Sequence, residues 1–285
     1  MLLLSDSSAL YRETARAIRA ELEYDPGKLA VRSIVVGEVG ADFLASPDVL
    51  IVTIGLKAVQ FAAKLEAPTL AVLVARQSYE SLAMANPAAR RRALSAIYLD
   101  QPPVRHLSLI RTSLPDVRSV GVLVGPTQAV AQTAAQTEWA GAARALGLGF
   151  VPIPVPGGND LFPALQAALP EVDALLLLPD PAVVNRGTIQ NLMLTAYRQR
   201  VPVIGYSQAL VEAGSLLAVY STPQQIGQQA GEMIARMLSG RGWELPAASY
   251  PRYFTVKSNA SVGRALELAI PSDAVLLRRL GGDGS

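Results

Sequence analysis

Asp180 stands between Pro179 and Pro181 at the end of the run Asp173-Ala174-Leu175-Leu176-Leu177-Leu178. A carboxylate held there suits the ammonium of a small ligand; the alternative is a cap for a turn or helix. The triplet Thr53-Ile54-Gly55 follows a second apolar run, Asp48-Val49-Leu50-Ile51-Val52, and opens a helical segment. Its backbone N–H groups suit a carboxylate, unless the triplet is only a structural turn. A third group, Ser5-Asp6-Ser7-Ser8 with Tyr11, is rich in helix-capping residues. Ser7 and Ser8 are there equally as caps or as ligand contacts. Tyr11, Tyr206 and Tyr220 are expected to wall an apolar ligand or, more simply, to pack at the lobe interface. The chemistry these residues offer together is noncovalent recognition of a small polar or zwitterionic molecule.

Covalent chemistry has few candidates. The 285 residues contain no cysteine, which excludes thiol nucleophiles, thiolate metal sites and a disulfide framework. The single histidine, His106, lies off the apolar stripe of its helix and reads as a surface residue. No Gly-x-Gly-x-x-Gly follows the first strand, and there is neither a Walker loop nor a nucleophile elbow. The expectation is binding without catalysis, with no cofactor and no metal. A formal net charge of +2 argues against nucleic acid, which requires a concentrated basic face. The one dense basic run, Arg90-Arg91-Arg92, is an anion patch or, more simply, a solvated helix end. No apolar run reaches the length of about 18 residues that spans a bilayer.

The elements that position these groups alternate between strand and helix. Strands are expected at Met1–Leu4, Val31–Val36, Asp48–Val52 and Leu70–Val74, with helices over about Ala9–Glu23 and Leu56–Leu65. Ala96-Ile97-Tyr98-Leu99-Asp100-Gln101-Pro102-Pro103 ends this half, and its prolines are expected to carry the chain straight out of the strand. The pattern then restarts. Helices are expected at Val104–Leu114, Ala129–Leu146, Leu161–Leu169, Thr188–Arg200, Gln224–Leu238 and Ser261–Leu268. Strands fall at Val120–Val124, Phe150–Val155, Asp173–Leu178, Val201–Tyr206, Ser215–Tyr220 and Tyr253–Val256. With 51% hydrophobic and only 6% aromatic residues, the composition fits buried parallel strands covered by helices.

The halves repeat: Asp48–Val52, helix, Ala67–Val72 parallels Asp173–Leu177, helix, Val201–Ile204. The fold class expected is α/β, two Rossmann-like lobes with parallel sheets joined by crossover hinge segments. Ligands of such sheets bind beyond the carboxyl ends of the strands. That rule gathers Asp6, Ser7, Ser8, Tyr11, Thr53, Ile54, Gly55, Arg76 and Gln77 in the first lobe. In the second it gathers Gly125, Pro126, Thr127, Pro179, Asp180, Pro181, Tyr206 and Ser207. Lobe 1 is assigned residues 1–100 plus 223–248, lobe 2 residues 101–222 plus 249–280, and residues 281–285 form a disordered tail. Asp100, Gln101, Pro102, Tyr220, Ser221 and Thr222 are the hinge candidates, and Ala248–Tyr253 is a third crossing.

Several stretches resemble a known family: residues 96–103 with Arg105 and Leu107-Ser108-Leu109-Ile110-Arg111, Val120-Gly121-Val122-Leu123, and Val201-Pro202-Val203-Ile204-Gly205-Tyr206-Ser207. Ala213-Gly214-Ser215-Leu216-Leu217-Ala218, Tyr220-Ser221-Thr222-Pro223-Gln224-Gln225-Ile226-Gly227 and Phe254-Thr255-Val256-Lys257-Ser258-Asn259 belong with them. Together they are similar to the substrate-binding proteins of bacterial ABC transporters, with the type I periplasmic-binding-protein fold, in the group related to tryptophan/tyrosine uptake. The resemblance implies a ligand trapped between two lobes by hinge closure and delivery to an ABC transporter membrane permease. It also implies an exported, periplasmic protein, expected to act as a monomer, although this chain shows no export signal. The alternative is the effector-sensing domain of a lac-repressor-type regulator, which shares the fold; that would require a helix-turn-helix ahead of Met1. A Rossmann-type enzyme acting on a nucleotide or sugar phosphate is a third reading, which the missing glycine fingerprints disfavour.

Overall fold

The computed structural model describes residues 1–22, 30–40, 48–85, 94–125, 132–238 and 243–281. The leading elements are β1 (Leu2–Leu4), α1 (Ala9–Leu22), β2 (Ser33–Val35), β3 (Ile51–Ile54), α2 (Leu56–Ala62), β4 (Thr69–Val74), α3 (Arg76–Ala85) and β5 (Leu94–Tyr98). Next come α4 (Pro103–Ser113), β6 (Ser119–Val124), α5 (Gln132–Ala145), β7 (Gly149–Pro154), α6 (Leu161–Ala168) and β8 (Ala174–Leu176). The remainder are α7 (Ile189–Arg198), β9 (Val203–Gly205), α8 (Gln208–Glu212), β10 (Leu217–Tyr220), α9 (Pro223–Leu238), β11 (Thr255–Ser258), α10 (Ala260–Ala265) and α11 (Asp273–Arg279). The helices α3, α8 and α11 were not expected from the sequence pattern. The chain divides into two compact units, Met1–Asp100 with Ser221–Phe254, and Gln101–Tyr220 with Thr255–Ser285.

In the first unit, five strands lie in the order β2-β1-β3-β4-β5, all parallel. The middle strands β3 and β4 are buried along their whole length, as strands covered on both faces must be. Although every strand here precedes residue 99, part of the cover comes from far along the chain. Ile226, Ala230, Met233, Ile234 and Met237 of α9 join Leu2, Leu4, Ile18, Val52, Leu70 and Ile97 in one buried cluster. Helix α9 can approach α1 closely because Gly227 has no side chain. A Cβ there would stand 2.8 Å from the Thr14 carbonyl oxygen.

The second unit has six strands in the order β11-β10-β9-β8-β6-β7. Leaving out β11, the arrangement repeats the first unit strand for strand, so the sequence repeat is a repeat of topology. The edge strand β11 departs from the all-parallel expectation: it pairs antiparallel with β10, Tyr220 opposite Thr255. Its core is built from Leu123, Ile153, Leu165, Leu175, Leu177, Leu192 and Val203.

Three expectations need correction. Pro102 and Pro103 do not carry the chain straight onward: Pro102 is the extended residue before α4 and Pro103 its first residue. The fixed φ of proline suits a first helical turn, where no N–H partner is needed. Residues 221–222, assigned above to the second lobe, lie in the first unit, and so do residues 249–254. Ser249 is the reason for the latter: its N–H donates to the Ala96 carbonyl, and its own carbonyl accepts the Tyr98 N–H, each at 2.9 Å. His106 is not a surface residue but is 2% exposed, with its ring 5.9 Å from that of Trp139. The run Arg90–Arg92 and residues 282–285 of the expected tail lie outside the described residues.

Candidate functional site

In each sheet the strand order reverses between two central neighbours, β1 and β3 in the first unit, β6 and β8 in the second. Beyond the carboxyl ends of such a pair the two crossover helices part, leaving a crevice. Asp6, Ser7, Ser8, Tyr11 and Gly55 follow the first pair and Gly125 and Pro179–Pro181 the second, with unequal access, whereas Arg76 and Gln77 follow β4 and Tyr206 and Ser207 follow β9.

In the first unit the crevice is floored by Gly55, whose φ of +90° marks the end of β3. The Tyr11 ring crosses this glycine so closely that a Cβ on it would stand 2.6 Å from Tyr11 Cζ. Burial, then the nearby Asp6 carboxylate, raises the Tyr11 phenol above its ordinary pKa. Ser5, offered by the sequence only as part of a turn rich in capping residues, is buried and accepts the Ala58 N–H on Oγ at 2.9 Å. Asp6 is exposed and accepts the Ser8 N–H at 2.8 Å; that bond holds its carboxyl below the ordinary value. Ser7 and Ser8 are exposed, and the Ser7 carbonyl accepts a hydrogen bond from the Arg12 guanidinium. Thr53 and Ile54 do not form the turn. Both belong to β3 and are 0% exposed, and the Thr53 hydroxyl has no hydrogen-bond partner among the described residues.

Arg76 and Gln77 open α3 and are half-buried. The Arg76 guanidinium is occupied within its own unit. It contacts Glu80 Oε1 at 2.7 Å and the Tyr250 hydroxyl at 2.5 Å, and lies 5.5 Å from the centre of the Tyr250 ring. The Arg76 N–H donates to Asp100 Oδ2 at 2.5 Å. Tyr98 joins this cluster edge-on, with ring centres 5.7 Å from Tyr79 and 5.5 Å from Tyr250. Burial raises the Tyr79 phenol to about 12.

In the second unit Gly125 ends β6 and is pressed by Asp180, whose Cγ would stand 2.6 Å from a Cβ on the glycine. Asp180 itself is 1% exposed and accepts the Ala182 N–H at 2.9 Å, while its carbonyl accepts the N–H groups of Val183 and Val184. The carboxylate expected to face a ligand is therefore built into the turn it belongs to. Pro179 is half-buried and Pro181 exposed. Tyr206 is half-buried, and burial together with Asp180 pushes its phenol up to about 12. Ser207 caps α8, its Oγ accepting the Leu210 N–H at 3.3 Å. Pro126 and Thr127 lie outside the described residues.

The hinge candidates fall where the chain passes from one unit to the other. Gln101 is buried and accepts a hydrogen bond from the Arg105 guanidinium. Tyr220 donates its hydroxyl to Gln208 at 3.3 Å, whereas the next residue, Ser221, donates to the Tyr253 carbonyl at 2.6 Å. Thr222 and Gln225 close a reciprocal cap at the start of α9, with bonds of 3.0 and 3.2 Å. Among the described residues no group of three or more His, Cys, Asp or Glu side chains is placed to hold a metal ion, and no helix is long and apolar enough to cross a membrane.

Five N–H groups at strand-to-helix turns are thus satisfied by the chain's own side chains: Ser8 by Asp6, Ala58 by Ser5, Arg76 by Asp100, Ala182 by Asp180 and Leu210 by Ser207.

Comparison with known proteins places this geometry in context. The family model for ABC transporter substrate binding proteins matches residues 99–254. Among curated proteins, none matches the chain at a significant level. Among solved structures, the ABC domain from Streptococcus pneumonia in complex with L-Trp is 18% identical with a TM-score of 0.65, over 99% of this chain and 98% of that one. A substrate binding protein with adhesive properties from Clostridium difficile, in its ligand-free, open structure, gives 17% and 0.71, over 95% of each chain. A conserved domain protein from Vibrio cholerae gives 20% and 0.65, over 98% of this chain and 96% of that one. The shared architecture is the type I periplasmic-binding-protein fold.

Proposed function

The chain belongs to the family of ABC transporter substrate binding proteins, and on that premise we propose that it is the solute-binding component of a bacterial ABC import system. It acts in the periplasm as a monomer, binds a small polar or amino-acid-like solute without catalysis or cofactor, and passes it to a membrane permease; nucleic acid is not a partner. The ligand is held beyond the carboxyl ends of both sheets by closure about the linkers at Asp100–Pro102 and Tyr220–Thr222. The family match carries this reading. It is supported by a duplicated topology that places a switch-point crevice in each unit. Tyr11, Gly55, Arg76 and Gln77 are the first unit's contributions; Gly125, Tyr206 and Ser207 are the second's, with Asp180 acting from beneath by shaping the Gly125 turn.

Native mass spectrometry of the protein purified from its export compartment, followed by calorimetric titration of the identified solute, tests the proposal. A copurified small molecule with micromolar or tighter affinity supports it. Asp180→Ala is expected to weaken binding by releasing the Gly125 turn, and unchanged affinity would remove Asp180 from the site.

A further inference from the structure

Resting on the binding-protein reading, we propose that Ser221, Gln225 and Gln229 are positioning residues. They fasten two of the crossings between the units into one hinge, so that the solute is enclosed by rotation about a single axis. The chain passes from unit to unit at Asp100–Gln101, Tyr220–Ser221 and Phe254–Thr255. At each place the residues on both sides are held by their own unit. Asp100 accepts the Arg76 N–H of the first unit, while Gln101 accepts from Arg105 of the second. Tyr220 and Thr255 lie opposite each other in the β10–β11 ladder of the second unit. Their neighbours across the boundary are joined within the first unit. There Ser221 Oγ donates to the Tyr253 carbonyl at 2.6 Å, and Gln225 Nε2 donates to the Phe254 carbonyl at 3.1 Å.

The first-unit fastening is a polar stripe on α9. Gln225, Gln229 and Glu232 stand at the i, i+4, i+7 spacing that shares one helix face. They hold the stretch 252–254: Gln229 accepts the Arg252 N–H at 2.7 Å, and Glu232 accepts the Tyr253 hydroxyl at 2.7 Å. Gln225 and Gln229 are both buried, and a buried amide is stable where its hydrogen bonds are made. Planar peptides do not bend, so the turning falls to ψ of Tyr220 and Phe254 and to φ of Ser221 and Thr255. Paired strands lie about 4.8 Å apart. Two pivots at that spacing, joined to each other on both sides, rotate together about the line through them and resist independent twisting. Thr222 and Pro102 fall outside the pivots, as the residues that cap α9 and lead into α4.

The test uses the full chain, whose lack of cysteine allows one spin label in each unit, at Arg16→Cys in α1 and Gln190→Cys in α7, both exposed positions. Pulsed dipolar spectroscopy of the protein, stripped of solute by on-column refolding, reads the distribution of label-to-label distances. In Ser221→Ala the fraction of distances outside the parent's main peak is expected to rise about fivefold, the population change worth one hydrogen bond. Gln225→Glu keeps the acceptor for the Thr222 N–H, loses the donor to Phe254 and is expected to broaden the distribution likewise. Ser221→Thr keeps the hydroxyl and is expected to retain the parent's distribution. Ser119→Ala loses a hydroxyl bonded to Asp173 within the second unit and is expected to leave the distribution unchanged. An unchanged distribution in Ser221→Ala, whatever its Tm, would mark a merely structural bond and overturn the inference, as would equal broadening in Ser119→Ala. Broadening in a chain that binds no solute would uphold the strap and count against the binding-protein reading. An unchanged distribution in a chain that does bind one would overturn the strap alone.

Discussion

The backbone N–H of Arg76 donates to the Asp100 carboxylate at 2.5 Å, so the residue that opens the first linker caps a helix that starts 24 positions earlier. The linker thereby begins from a fixed point: Asp100 is anchored to α3, and α3 is anchored through Arg76 to Tyr250 of the same unit. A side chain expected to serve as a hinge is, on its first-unit side, part of a rigid corner.

Asp100→Asn tests that corner. Burial raises the Asp100 carboxyl above its ordinary 3.8. The folded chain therefore holds this proton more tightly than the unfolded chain, and the ionised carboxylate costs stability at pH 7. Asparagine keeps an acceptor for Arg76 and removes the charge. Its Tm at pH 7 is expected to match or exceed that of the wild type, with the difference shrinking as the pH falls toward 3.8. Asp100→Ala loses the acceptor and is expected to cost about 0.5–2 kcal/mol. Melting curves at pH 4 and 7 for the three proteins check the sign.

Gly55→Ala is expected to destabilise the first unit by about 1–3 kcal/mol, because alanine meets both a left-handed backbone and the Tyr11 ring. Adding Tyr11→Ala removes the clash and leaves the backbone strain. The double variant should therefore recover only part of the loss, a non-additivity that a double-mutant cycle in urea measures.

His106 is held neutral by burial, then by the neighbouring Arg105 charge, with its pKa lowered from 6.5 to about 3. The unfolded chain binds this proton first, so the second unit loses stability as the pH falls from about 6.5 toward 3. His106→Leu is expected to flatten that part of the profile. At pH 7 it should be neutral or stabilising, since His106 Nδ1 has no hydrogen-bond partner among the described residues. Of the two tryptophans, Trp139 lies against this ring in the second unit and Trp243 lies in the first. Fluorescence of a Trp243→Phe background therefore follows the second unit alone.

Arg111 donates to four backbone carbonyls, those of Pro115, Val117, Leu146 and Gly147, at 2.9–3.3 Å. The planar fork of guanidinium is what serves acceptors from two separate turns. Arg111→Lys keeps the charge and loses most of these bonds, with an expected cost of about 1–3 kcal/mol in the chemical denaturation of the second unit.

Much of this architecture is legible in the residue pattern, and the exceptions are instructive. Runs such as Ile51–Ile54 and Thr69–Val74 announce strands buried on both faces, and their recurrence announces the second sheet. Thr53 and Ile54 were misplaced in a turn because only the left-handed conformation of Gly55 shows where β3 stops. Both are β-branched and extend the strand. His106 was misread because α4 buries more than one stripe, taking in Leu107, Leu109, Ile110 and Ser113 as well. Asp180 was recognised as unusual, but its pressing on Gly125 depends on β6 and β8 being neighbours, which no local pattern states. The same holds for the contact of Tyr11 with Gly55, which are 44 positions apart in the sequence.

The borrowed helix α9 has a bearing on how the protein is made. The five strands of the first unit have all been synthesised once Tyr98 is added, yet Ile226, Ile234 and Met237 are still more than 120 residues from synthesis. Until then the face that α9 will cover, lined by Leu2, Leu4, Val52 and Leu70, stays without its partner. The second unit needs only the later β11 edge and its following helices to complete a sheet whose other strands are contiguous in the chain. Vectorial synthesis therefore favours a nascent state in which the unit begun first is finished late, with an apolar face that a holding chaperone would recognise.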